Sequence, residues 1–389
     1  MRCRTVVEAA GVAVFAMLMA PAQAQQAAAP KPPILEAETS GSATLAPAHP
    51  YRLFVGGDGG FAIIDARDAK MEGTIHGGGF PVLDVPLDQT HFYVAETHWT
   101  KGNRGPRTDL IAVYDTKHLK LQAEIPLPNR LIAGGRSNYF ALSADSKRGF
   151  VFNLDPATAV HVVDLERNRL LNSIEIPGCG LAYPFRNEGF ASLCADGSLA
   201  IVALDARGRG TPVRTEAFFD GEQDPVFEES IVDRVTGEAL LVTLTGKVIP
   251  VKLGVKPEFG EPWHLTQTAG LAPATTGVQH KTWRAGGRRP FALHRDSNTL
   301  FVLMHEGKHW SHYDPGTEVW AIDTKTKLLK GRFQLPTAGG AVGVSQGADP
   351  LLYVLGDGGW LWVMDPNSGR IVKTMGEVRR AAIIRTIGF

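Results

Sequence analysis

FAIIDARDAKMEGTI (residues 61–75), IAVYDTKHLKLQAEI (111–125) and VHVVDLERNRLLNSIEI (160–176) share one pattern: a β-type run, a polar turn at an Asp, then a second β-type run. Four more stretches repeat it with variations: LAIVALDARGRGTPVRTEAF (199–218), VIPVKLGVKPEFGEPWHL (248–265), VWAIDTKTKLLKGRFQL (319–335) and LWVMDPNSGRIVKTM (361–375). Self-similarity at a period of about 40 to 50 residues marks a β-propeller with one copy per blade. Each copy also extends backwards to a strand-like run, such as THFYVAET (90–97) or LLYVLGDGGW (351–360). These runs are rich in Val, Phe, Tyr, Leu and Thr, and many end in the Gly, Asp or Asn that hairpins require. No long stretch keeps a 3.6-residue apolar period. The expected fold is therefore all-β, a seven-bladed β-propeller.

The turn carboxylates Asp65, Asp115, Asp164, Asp323 and Asp365 recur at one place in the repeat. An Asp there bonds its own following amides in an Asx-turn, so the set reads as structural rather than catalytic.

Composition narrows the partners. The 389 residues are 44% apolar and carry 40 basic and 40 acidic side chains, a balance that gives no reason to expect nucleic acid. Arg2 and Arg4, the apolar run AAGVAVFAMLMA (9–20) and the Ala22-Gln23-Ala24 triplet read as an export signal over residues 1–24. The run is shorter than the ~20 residues a membrane span needs, so no membrane anchor is expected. Residues 25–50, rich in Ala, Pro and Ser, read as a flexible arm, leaving 51–389 as the propeller domain. Export leaves Cys179 and Cys194 as the mature cysteines, read as one disulfide in an oxidising compartment, with two free buried thiols as the alternative.

Three irregular connections are where function could sit: TAGLAPATTGVQHKTWRAGGRRP (268–290), HEGKHWSHYDPGTE (305–318) and HWTKGNRGPRTD (98–109). His305, His309 and His312 invite a metal reading. HEGKH (305–309) has the HExxH spacing, but that motif needs a helix and these residues lie in a Gly- and Pro-bearing connection between strands, so they read as surface or loop histidines and no metal is expected. The seven tryptophans form no one-per-blade series. The residues themselves thus describe an exported propeller with no complete catalytic set.

Several stretches together resemble the heavy (large) subunit of the quinoprotein amine dehydrogenases, the methylamine and aromatic amine dehydrogenase family. They are IPGCGLAYPFRNEGFASLCADGSLAIVAL (176–204), RTDLIAVYDTKHLKLQAEIPLP (107–128), and RPFALHRDSNTLFVLMHEG (289–307) leading into DPGTEVWAIDTKTK (314–327). The resemblance implies a Cys179–Cys194 disulfide and a periplasmic heterotetramer of two heavy and two light chains. The light chain would carry tryptophan tryptophylquinone and the catalytic base, leaving no catalytic residue in this chain. Primary amines would be oxidised to aldehyde and ammonia, with electrons passing to a blue copper protein of the amicyanin or azurin type. Phe80, in IHGGGFPVLDV (75–85), matches the family's Phe that lines the substrate channel. HEGKHWSHYDPGTE resembles the aromatic amine branch in layout, whereas GGGFP resembles the methylamine branch. Two other readings compete: a stand-alone periplasmic binding propeller without redox activity, and a metal-dependent propeller lactonase.

Overall fold

All seven repeated segments fold as antiparallel hairpins or extended strand pairs, and together they build an all-β propeller. A computed structural model describes residues 44–57, 59–133, 137–376, 378 and 383–388. They belong to one compact unit, Ser42–Phe389. The expected export segment and the arm up to residue 43 lie outside the described residues. At the arm's end, Leu45 is buried and its N–H donates to the Lys117 carbonyl oxygen at 2.9 Å.

The expectation of a seven-bladed propeller is corrected: five blades are present. The strands pair into six sheets, of which five are blade-sized and one is eight-stranded. Four sheets have four strands: Ile383–Thr386 with Arg52–Gly57, Gly60–Asp65 and Lys70–His76; then those spanning 79–127, 140–175 and 179–214. The fifth, over 231–264, has five strands. The remaining sheet runs from Thr282–Ala285 to Ile371–Met375 because the strand Leu328–Val344 never breaks. Its early part pairs with Gly316–Asp323 and its later part with Leu352–Gly356. Gly339 is the pivot, opposite both Gly316 and Gly356. A Cβ there would sit 2.7 Å from Val354 Cγ1, so the close approach needs glycine. Pro336 and the Gly339-Gly340 pair look like a break in the sequence, but the chain passes through them extended.

Ring closure comes from the chain's two ends. Ile383–Thr386 is the innermost strand of the first sheet and pairs with Arg52–Gly57, so the last strand completes the sheet that the first begins. The ends of the inner strands meet at one rim. Asp84 accepts from Leu142 N–H at 2.9 Å, from Arg234 Nη1 at 2.7 Å and from Arg385 Nη2 at 2.8 Å. Ala144 N–H reaches the Arg186 carbonyl at 3.0 Å, and Arg186 N–H the Arg234 carbonyl at 2.7 Å. Arg295 Nε donates to Asp233 at 2.6 Å, and Gln346 Nε2 to the Leu293 carbonyl at 2.9 Å. Because these strand ends converge, the inner strands run in the same direction. Their starts lie on the opposite side, called the upper face below. The Asp turns lie on the lower face. Asp115 Oδ1 accepts from Lys117 N–H at 3.0 Å and His118 N–H at 2.6 Å, and Asp365 Oδ1 from Asn367 and Ser368 at 3.0 and 2.8 Å. The structural reading of those carboxylates holds.

Candidate functional site

Two of the three glycines before Phe80 are dictated by a neighbouring strand. The strand His91–Trp99 crosses so near that a Cβ on Gly79 would lie 2.3 Å from Trp99 Cζ3, and one on Gly78 2.7 Å from the Thr97 carbonyl oxygen. Gly78 N–H donates to Glu96 Oε2 at 2.7 Å. The pairing register then shifts between Gly79 and Val82. Phe80, the second residue of the inner strand Gly79–Asp84, takes a left-handed φ of 52°. That backbone costs a bulky L-residue about 1–2 kcal/mol, so its surroundings have to hold it.

Arg130 does the holding. Its Nη2 donates to the carbonyl oxygens of Gly79 at 2.9 Å and Phe80 at 2.5 Å, and its Nε donates to Thr97 Oγ1 at 2.9 Å. The Thr97 hydroxyl donates in turn to Asp109 Oδ1 at 2.5 Å. Arg107 closes the circuit, donating from Nε to Asp109 Oδ2 at 2.7 Å and from Nη2 to the Arg130 carbonyl at 2.6 Å. Arg130, Thr97 and Asp109 are all buried. Burial draws the Arg130 pKa down to about 10 against the opposing pull of Asp109, leaving it cationic at neutral pH.

On this support the Phe80 ring stands 38% exposed, edge-on to Trp99 with centroids 6.4 Å apart. It lies at the start of an inner strand, hence on the upper face. That face also carries Trp310 and Tyr313, 50% and 55% exposed, in the connection after Thr299–Gly307, and Trp360, 46% exposed. Trp310 shares the left-handed backbone, with φ 70°. Leu181 repeats the Phe80 device beside Gly180, with φ 67°, but its side chain is buried. Cys179 and Cys194 stand directly opposite each other in that same hairpin and form the disulfide.

The three histidines take separate structural jobs, and two are buried rather than on the surface. His305 Nε2 lies 2.8 Å from Ser311 Oγ, and His309 Nε2 donates to the Gln223 carbonyl at 2.8 Å. His312 packs on the Phe227 ring. Burial lowers the His305 pKa, keeping it neutral. Among the described residues, His49, Asp65 and Glu72 come close enough to share a cation. Arg52 already occupies Glu72, donating to its two oxygens at 2.7 and 3.3 Å.

Sequence reasoning reached the disulfide cysteines; of the network that holds the Phe80 backbone it missed Arg130 and Thr97. Arg107 and Asp109 stood inside the RTD start of a stretch already singled out, which was the available signal. Also missed was the lower-rim cluster of Asp84, Arg234 and Arg385.

Comparison with known proteins places the chain. A family model described as methylamine dehydrogenase heavy chain matches residues 51–388. The methylamine dehydrogenase heavy chain of Methylorubrum extorquens is 30% identical over 325 residues, covering 82% of this chain and 76% of the relative. That of Methylobacillus flagellatus is 27% identical, covering 82% and 79%. Among solved structures, a dihydro-heme d1 dehydrogenase aligns with TM-score 0.57 at 16% identity, covering 88% of this chain and 76% of that one. The β-propeller domain of Cps50 (Swd1) from Myceliophteria thermophila aligns at 0.55 and 12% identity, covering 82% and 93%. At those identities the likeness is one of fold alone. The sequence matches go further: this chain belongs to the methylamine dehydrogenase heavy chain family.

Proposed function

We propose that this chain is the scaffold subunit of a periplasmic amine dehydrogenase, docking a cofactor-bearing light chain on its upper face. The observation that carries this is that Phe80, Trp310, Tyr313 and Trp360, all substantially exposed, lie at strand ends or connections of the upper face. Exposed aromatics are the residue type in which interface cores are enriched. Tryptophan tryptophylquinone on the light chain would supply the two-electron oxidation of a primary amine to aldehyde and ammonia. Two heavy and two light chains would form the assembly, and a blue copper protein would accept the electrons.

Within it, Phe80 and Trp99 screen the amine. Their crossed rings present an apolar, shape-defined edge, and Arg130 fixes where that edge stands. Discrimination by such a surface is steric, so it acts on the amine's side chain rather than on the nitrogen.

Co-expression with the light chain and its maturation factors tests the reading. A coloured complex that is bleached by a primary amine is the expected product. A chain that purifies alone and never captures the small subunit would sink the proposal. In the complex, Phe80→Ala is expected to shift the kcat/KM ratio of methylamine to a bulky aromatic amine on the order of tenfold. An unchanged ratio removes Phe80 from the channel.

A further inference from the structure

The strand His91–Trp99 grips the Phe80 loop with side chains from both of its faces. Successive side chains on a strand point to opposite sides, so Glu96 and His98 share one side while Thr97 takes the other. Thr97 belongs to the Arg130 support described above. On the other side Glu96 is 3% exposed, and its Oε2 accepts the Gly78 N–H at 2.7 Å. Its Oε1 lies 3.0 Å from His98 Nε2. The His98 side chain is 50% exposed, and it lies so close to Gly78 that a Cβ there would meet Nε2 at 2.9 Å. One buried carboxylate thus joins a loop amide, two residues from Phe80, to an imidazole in contact with solvent.

Burial makes that junction sensitive to charge. A buried carboxylate is costly unless its oxygens are paired, and here the amide and the imidazole do the pairing. Protonating His98 makes the contact an ion pair with both partners charged, which strengthens the hold on the carboxylate. The neighbouring charged groups lack this response. Arg130, within electrostatic reach of Glu96, stays cationic with a pKa of about 10. Tyr114, which both Glu96 and Glu124 reach, keeps its proton, its pKa pushed up to about 12 chiefly by burial. Arg107, opposite Trp99, is engaged by Asp109. Lys101 and Arg104 are exposed in the turn beyond Trp99, and His76, exposed two residues before Gly78, is the other histidine beside the loop.

We infer that Glu96 is a positioning residue for the Phe80 ring and that His98 is its titratable catch. At low pH the imidazolium fixes Glu96 and, through it, Gly78; at higher pH the hold relaxes. The catch rests on the geometry of this chain, whereas its effect on which molecules pass Phe80 rests on the function proposed above.

Amide hydrogen exchange of residues 77–80 in the full chain, expressed as protection over the unstructured rate, tests the catch without a light chain. Between about pH 5 and 8, where histidine changes charge, protection is expected to fall about fivefold. His98→Gln should remove that slope and keep protection low throughout. His98→Lys, cationic across the whole range, should keep it high throughout, a rescue that a merely structural histidine would not allow. A flat profile in the parent overturns the proposal, and so does a slope that survives in His98→Gln, which would pass the role to His76. Low protection at the upper end of the range in His98→Lys overturns it as well. In the assembled enzyme the kcat/KM ratio of a small to a bulky amine should follow the same slope and lose it in His98→Gln. A flat ratio over a sloping protection would refute the Phe80 channel alone. Flat protection in an active heterotetramer would refute the catch alone.

Discussion

Phe80 and its backbone can be separated experimentally. The ring makes an edge contact with Trp99, whereas the φ of 52° charges its cost to any residue with a Cβ. Glycine alone is released from that cost. Phe80→Gly should accordingly be more stable than Phe80→Ala by about 1 kcal/mol, the reverse of the usual order, and Phe80→Val should be the least stable of the three. Urea unfolding midpoints of the isolated chain check the order; Ala above Gly would show that the left-handed backbone is not retained in solution. The run of glycines made this position legible, because three in succession before an aromatic residue announce a close approach. Arg130 was not legible. It lies 50 residues from Phe80, and only the packing of one sheet brings its guanidinium under the Phe80 carbonyl. A local pattern carries no trace of such a partner.

Hairpins were the element most open to reading, since each is specified by its own few residues. The turn Asp accepts two or more amide hydrogen bonds without help from the rest of the fold. The partition into sheets was less open, because it depends on whether a strand ends or runs on. In Leu328–Val344 it runs on through Pro336 and Gly339, residues whose ordinary reading is a break. The turn carboxylates also carry a pH dependence. For Asp365, hydrogen bonds from Ser368 lower the pKa below 3.8, and for Asp323 the bond from Thr326 N–H leads the same shift. At Asp115 and Asp164 burial pulls upward, but amide bonds, and at Asp164 Arg167 as well, carry the pKa down. A carboxyl with a depressed folded pKa contributes stability that is fully present above its unfolded value and is lost as the pH falls through the folded one. The chain should therefore lose thermal stability as the pH drops below 3.8, the ordinary Asp value. Substituting Asn at Asp164, Asp323 and Asp365 together should flatten that loss while leaving the neutral-pH fold intact, because at these three the amides go to Oδ1 alone and the Asn carbonyl still accepts them. Melting temperature against pH for both chains measures it; parallel curves would show that these turns do not carry the acid sensitivity.

At the scale of the molecule, a ring of sheets has to be held shut, and Asp84 lies where the closure converges. It ends the inner strand Gly79–Asp84 and meets Arg234 from the five-stranded sheet and Arg385 from the closing strand Ile383–Thr386. Burial would raise its pKa, but the charges of Arg234 and Arg385 and the Leu142 amide overcome this, so Asp84 is ionised in the folded chain. Taking away one partner of a buried ion pair costs about 3–5 kcal/mol, because the other charge is left stranded. Asp84→Asn strands two guanidinium groups at once and is expected to lose at least that much. Arg385→Met alone should cost less, since Asp84 keeps Arg234. If the Asp84–Arg385 contact is what fastens the last strand, the two substitutions will be strongly non-additive, with Arg385→Met costing far less in the Asp84→Asn background than in the parent. Urea unfolding of the four chains gives that coupling directly. Hydrogen exchange in Ile383–Thr386 then locates the damage: faster exchange there, with protection kept in the strands of 140–175, would show the ring opening at its seam. Additive costs with uniform loss of protection would mean that Asp84 stabilises the rim as a whole and that strand pairing with Arg52–Gly57 holds the seam without it.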